Sequence, residues 1–219
     1  MDGKKPNKTK VHTVYKTEDG SRVPSVTTIL GILDKPALLK WAWRCGMDGI
    51  DYKALRDNKA DIGSLAHYLI MCHLKGEKSD TSEYSSQDIQ LAENCFLSFL
   101  EWERHNKIKP VLIEEPLVSQ SLRFGGTIDC FAELNDDFVL IDFKTGKAIY
   151  PEMIYQLSAY KMLLESNGYE VNQSRILRIG RDENEGFEER VIANTDTGFQ
   201  LFLHCQCIYE LQKQIRREK

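Results

Sequence analysis

The sequence predicts an α/β fold with a core of order αβββαβ, and three observations carry that expectation. Apolar residues recur at helical spacing through the first half, at Ile62, Leu65, Leu69 and Cys72 and again at Ile89, Ala92, Phe96 and Leu100. The period then shortens to three strand-like runs, 111–117, 127–134 and 138–143, with Asn135-Asp136 as turn material between the last two. Pro151 next opens a helix to about Glu165, closed by Asn167-Gly168, and another strand-like run follows at 175–179.

The remaining elements fall around this core. Val11–Tyr15 and Arg22-Val23 flank Glu18-Asp19-Gly20 as a hairpin. Ser25 N-caps a short helix to Leu33, and Pro36 sits in the first turn of a second helix ending near Gly46. Further helices are expected over 60–73, 86–105 and 197–217, and a last strand over 188–192. A length of 219 residues suffices for one sizeable domain. Residues 1–10 are expected to be a disordered tail and 11–219 one domain. Within it, 11–84 form the hairpin and helical elaboration, 85–180 the αβββαβ core, and 181–219 a C-terminal strand and helix.

A hydrophobic content of 42% with 28% charged residues describes a globular chain with no bilayer-spanning run, and the lysine-rich start does not resemble a secretory signal. A cytoplasmic protein is expected. The six cysteines follow no disulfide framework, and the side chains of Cys205 and Cys207 would point about 200° apart on a helix, so they read as packing residues. A net charge of −4 argues against indiscriminate polyanion binding without excluding nucleic acid. Lys4, Lys5, Lys8, Lys10 and Lys16 at one end, and Lys213, Arg216, Arg217 and Lys219 at the other, read as solvated termini.

The chemistry concentrates between Gly125 and Tyr160. Asp142 ends the apolar run Phe138-Val139-Leu140-Ile141, and Asp129 follows Thr127-Ile128. A carboxylate in such a place is costly unless a cation sits on it, and a hard divalent metal suits it. A two-residue turn at Asn135-Asp136 sets Asp129 opposite Asp142, with Cβ atoms roughly 4.5–5.5 Å apart, and Lys144 on the same face as Asp142. Two like charges at that distance resist ionisation unless a cation bridges them. The plainer alternative is that Lys144 merely salt-bridges one acid, with the other at the solvated rim of the sheet. Gln156 and Tyr160 lie i,i+4 on the helix that returns across the sheet.

These residues resemble the nuclease motifs of the RecB-like, Cas4-like branch of the PD-(D/E)xK superfamily, which includes many phage exonucleases. The resemblance rests on Gly126-Thr127-Ile128-Asp129, on Asp142-Phe143-Lys144-Thr145-Gly146, and on Gln156 with Tyr160. Gly63-Ser64-Leu65-Ala66-His67 is similar to the family's G-xxx-H element, and Pro24-Ser25-Val26-Thr27-Thr28-Ile29-Leu30 to an N-terminal element of its phage and mitochondrial exonucleases. The resemblance implies a restriction-endonuclease-like mixed sheet flanked by helices. It implies one or two Mg²⁺ or Mn²⁺ ions held by His67, Asp129, Asp142 and the Phe143 carbonyl, with Lys144, Gln156 and Tyr160 completing the catalytic set. Glu115 is a candidate additional acid, and Glu114 an equal contender for it. Iron–sulfur members of the family use one upstream and three C-terminal cysteines; here Cys45, Cys205 and Cys207 leave the set one short, so no cluster is expected.

The function implied is a DNA exonuclease working in recombination, repair or phage DNA processing, in a bacterial or phage-infected cell. Its substrate would be single-stranded DNA or a duplex end, and a recombinase or annealing protein a candidate partner. The alternatives are an endonuclease and a non-catalytic DNA-binding scaffold on the same fold. A sugar hydrolase built on the acid pair is disfavoured, since that chemistry needs no lysine two residues on. Ser25, Thr27, Lys40, Trp41 and Arg44 are candidate DNA contacts, although tryptophans with neighbouring cations serve a core with a solvated rim equally well.

Overall fold

The computed structural model of the chain describes residues 13–218. The expected tail at 1–10, Val11 and His12 of the first hairpin, and Lys219 lie outside the described residues. Helices α1 (Val26–Leu30), α2 (Pro36–Met47), α3 (Tyr52–Lys75) and α4 (Ser86–Asn106) precede strands β1 (Lys109–Ser119), β2 (Phe124–Leu134) and β3 (Asp137–Thr145). Then come α5 (Pro151–Ser166), β4 (Gln173–Ile179), β5 (Phe187–Val191) and α6 (Asp196–Arg217). The chain is thus α/β, with a five-stranded mixed sheet in the order β1-β2-β3-β4-β5.

Strands β1, β2 and β3 form an antiparallel meander, and β5 is antiparallel to β4. Only β3 and β4 run parallel, which is why α5 lies between them in sequence: a parallel pair needs a crossover. Helices cover both faces. Val26, Ile29, Leu157, Leu163 and Phe202 from α1, α5 and α6 pack with Phe124, Ile128, Phe131 and Leu140. On the other face Ile62, Leu65, Ile70, Cys95 and Phe99 from α3 and α4 pack with Cys130, Ala132, Ile141, Phe143 and Leu177. A sheet buried on both faces explains the apolar run of β3.

Element boundaries depart from expectation in instructive places. α3 starts at Tyr52 rather than Ala60, because Asp51 accepts the N–H groups of Lys53 and Ala54 and caps it. Its first turns carry Lys53, Arg56, Asp57 and Asn58, all exposed, so no apolar period marks them. α1 ends at Leu30 instead of Leu33. The first hairpin is a turn with a single bridge, Lys16 to Arg22, closed by the Val23 N–H donating to the Tyr15 carbonyl at 3.1 Å.

Five cysteines are buried and Cys207 is exposed. Burial pushes the Cys95 thiol up to about 12, out of its reactive range. A thiol-specific reagent is therefore expected to modify one cysteine of the native protein quickly, Cys207, and all six only in denaturant. Rapid native labelling that survives Cys207→Ser would contradict this packing.

Candidate functional site

The β2–β3 hairpin sets the register of the site. Asn135 and Asp136 adopt φ of 52° and 68°, the left-handed pair of a tight two-residue turn, and the ladder they fix pairs Leu134 with Asp137 through Cys130 with Ile141. One step further puts Asp129 opposite Asp142, as expected. The ladder stops there, and the Asp129 carboxylate itself accepts the Phe143 N–H at 2.9 Å. Side-chain alternation in β2 slips at the same point. Ile128 and Phe131 both face α5, while Cys130 and Ala132 face α3 and α4.

Asp142 is 1% exposed. Lys144 Nζ sits 2.5 Å from its Oδ2, outside hydrogen-bonding geometry, and among the described residues neither carboxylate oxygen has a hydrogen-bond donor. Burial pushes the Asp142 carboxyl up to about 6, opposed by Lys144 and reinforced by Asp129. Burial also raises Asp129, against Lys144 and the Phe143 N–H. Burial would lower Lys144, but Asp142 and Asp129 outweigh it and hold the ammonium above its usual range. Lys144 thus does pair with one acid, as the plainer alternative has it, but the other, Asp129, is not at a solvated rim: its side chain is 14% exposed.

α3 brings His67 to the same place. Its Nδ1 lies 3.7 Å from Asp129 Oδ2 and its ring meets Phe143 edge-on at 6.0 Å between centroids. Burial, then Lys144, pulls the imidazole down to about 4, so it is neutral and able to act as a ligand near pH 7. Gly63, one turn earlier, faces the Thr145 side chain so closely that a Cβ would lie 2.7 Å from Thr145 Oγ1. That contact is the physical reason for a small residue four before the histidine. His73 points elsewhere, to Glu103 at 2.7 Å.

A cleft of about 770 Å³ runs along α3, lined by Gly63, His67, Tyr68, Met71 and Lys75 on one side and Glu114, Asp129 and Lys144 on the other. The candidate additional acid needs correction. Glu115 keeps its ladder place opposite Ile128 and is exposed, whereas Glu114 reaches the cleft with a left-handed φ of 51°. Burial and the Asp129 charge push Glu114 up to about 8, with Lys75 opposing. His67, Glu114 and Asp129 offer donor atoms all within 4.8 Å of one another. No sequence signal marks Glu114, because the choice between two adjacent glutamates depends on one backbone angle.

Gln156 and Tyr160 do not line this cleft. Gln156 Nε2 donates to the Tyr160 hydroxyl at 2.8 Å, and Tyr160 is buried against Gly126, where a Cβ would lie 2.6 Å from its Cε1. Burial, with the charges of Asp142 and Asp129, raises the Tyr160 phenol well above its usual range, so it stays a neutral donor.

The predicted DNA contacts divide. Ser25 caps α1 by accepting the Thr28 N–H, and with Thr27 it lines a second cleft of about 420 Å³ that shares Thr13 and Thr127 with the first. Lys40, Trp41 and Arg44 lie on α2, away from both clefts. Trp41 packs edge-on against Tyr52 at 5.0 Å with Lys59 Nζ 5.6 Å from its ring, a structural contact, while Trp43 is the exposed tryptophan.

The residues present fit a divalent cation. The buried Asp142 has an orphaned oxygen, three acids face one internal lysine, and the neutral imidazole adds a ligand. No helix among the described residues is long and apolar enough to cross a membrane. No family model matches the chain, and no curated protein matches it. One solved structure that does match, "Crystal structure of SSO0001", is 12% identical at a TM-score of 0.36, covering 67% of this chain and 72% of that one.

Proposed function

We propose that the chain is a Mg²⁺- or Mn²⁺-dependent deoxyribonuclease with a PD-(D/E)xK core, acting from DNA ends. The observation that carries this reading is Asp142: a carboxylate 1% exposed and without a hydrogen-bond donor, beside Lys144, which lines the cleft together with Asp129. A retired site has no reason to keep such costly charges together. Asp129, Asp142, the Phe143 carbonyl and His67 would hold the cation, and His67 tilts the site toward Mn²⁺. Bound there, the cation supplies a Lewis acid for a phosphate oxygen and a water of lowered pKa.

The chain's own groups do the rest. Lys144 stays protonated beside Asp142 and lines the cleft, where its ammonium meets the charge that grows on phosphorus-bound oxygen. Gln156 and Tyr160 hydrogen-bond to each other within reach of the acids' charges, and the Tyr160–Gly126 contact fixes the height of α5 over β2. Hydroxyls of Ser25, Thr27 and Thr127 border the adjoining cleft, where they offer donors to a phosphodiester strand.

The test uses purified full chain with Mn²⁺ and end-labelled single- and double-stranded DNA, linear and circular. Release of label from linear DNA with circles left intact is the expected result. Cut circles would make the enzyme an endonuclease, and DNA left intact in every arm would overturn the reading.

A further inference from the structure

Two lysines stand past one end of the cleft without an ion pair of their own. The cleft face of α3 runs from Ala60 through Ser64 and His67 to Lys75, and Gly63 packs on Thr145 at the Ala60 end. Lys59 precedes Ala60 and Lys147 follows Thr145 by two, which brings them near enough to feel each other's charge. Arg178 and Arg181 pair with Glu188 and Glu185, whereas among the described residues no acid lies at ion-pair distance from Lys59 or Lys147. The charges of Glu185 and Asp182 do reach Lys59, but both acids are engaged elsewhere. Glu185 accepts Arg181 Nε at 2.8 Å, and Asp182 accepts the Glu185 N–H at 3.0 Å. Lys59 Nζ instead lies 5.6 Å from the Trp41 ring. Burial, then Arg181, pulls its ammonium down from the usual value. Cations gathered and partly desolvated in this way favour an anion beside them.

The opposite end of the cleft differs. There Lys75 shares the lining with Glu114, whereas Ala60, Ser64 and Thr145 bring no acid. We infer that Lys59 and Lys147 grip backbone phosphates of the uncut strand, which leaves the acid cluster along α3 and past Thr145. The inference rests on the nuclease reading and adds a direction and a length to it. Lys59 lies eight positions before His67, about 12 Å along the helix, or about three to four nucleotides of a stacked strand. Neither lysine lines the cleft itself, so both are positioning residues: they favour strands long enough to reach them.

The test compares the full-length wild type with a double variant, Lys59→Met with Lys147→Met, which removes both charges and keeps an apolar stem against Trp41. A melting curve checks its fold. Affinity for a long fluorescent single strand is read across a salt series, with Ca²⁺ replacing Mn²⁺ so that nothing is cut. The double variant is expected to bind about tenfold more weakly at low salt. Its slope of log affinity against log salt should be shallower by about 1.4, at about 0.7 for each lost phosphate contact. Lys59→Arg with Lys147→Arg should keep the wild-type slope, and Lys109→Met, at the start of β1, should change nothing. With Mn²⁺, the methionine variant should raise KM for the long strand, while a dinucleotide too short to reach Lys59 is cut as by wild type. An unchanged affinity and slope in that variant overturn the inference and leave the nuclease reading standing. Equal losses on the dinucleotide and the long strand overturn it too, because they mean damage to the acid cluster. A wild type that binds and cuts neither substrate overturns both.

Discussion

Lys144→Ala is expected to lower DNA cleavage by at least ~10²–10³-fold, the usual loss when one donor to transition-state charge is removed. DNA retention in a gel shift with Ca²⁺ is expected to survive, since the variant keeps every other cleft residue. A second effect runs alongside. Removing the ammonium 2.5 Å from Asp142 leaves a buried carboxylate without its cation, which costs about 3–5 kcal/mol when one partner of a buried pair is deleted. The two effects separate under Mn²⁺. The ion is expected to recover most of the lost melting temperature but none of the lost rate. A variant that still cuts within about threefold of wild type would remove Lys144 from the chemistry.

Phe99→Ala is expected to destabilise the chain by about 3–5 kcal/mol, as for a fully buried phenylalanine cut to alanine. Phe99 is 0% exposed and meets Phe143 edge-on at 5.5 Å and Trp102 at 6.0 Å. Its loss reaches the site through one residue. Phe143 donates its N–H to Asp129 and lies against His67, so a ring free to sink into the cavity would shift both proposed ligands. Mn²⁺ affinity should therefore weaken at temperatures where the variant is still folded, and Phe99→Leu should lose less of both. Denaturant unfolding with a parallel Mn²⁺ titration reads the two quantities. A loss below about 1 kcal/mol would mean that α4 does not brace β3 as described.

Much of the site was legible because it hangs on local chemistry. Asn135 and Asp136 tolerate φ of 52° and 68°, so the turn and the Asp129–Asp142 opposition could be read from two residues. Lys144 follows Asp142 by two, and that spacing alone puts it beside the acid. Helix positions with an apolar stripe were legible, and the exposed first turns of α3 were not, since Asp51 caps a stretch that buries little. The role expected for Gln156 and Tyr160 was read from i,i+4 spacing, which places two side chains together but not on a given side of the sheet. In the fold they hydrogen-bond to each other and do not line the cleft, although Tyr160 lies near enough to Asp142 and Asp129 to feel their charges.

The sequence by itself thus determined the α/β order, the turn that aligns two acids, and the lysine beside one of them, because each depends on neighbours a few residues apart. Tertiary structure alone decided which glutamate enters the cleft and how His67 reaches Asp129 across 62 positions of chain. Those outcomes depend on a left-handed residue in β1, a slip of alternation in β2 and the depth to which Gly63 lets α3 settle against Thr145. Each is set by how separate elements pack, and packing has no period to read along the chain.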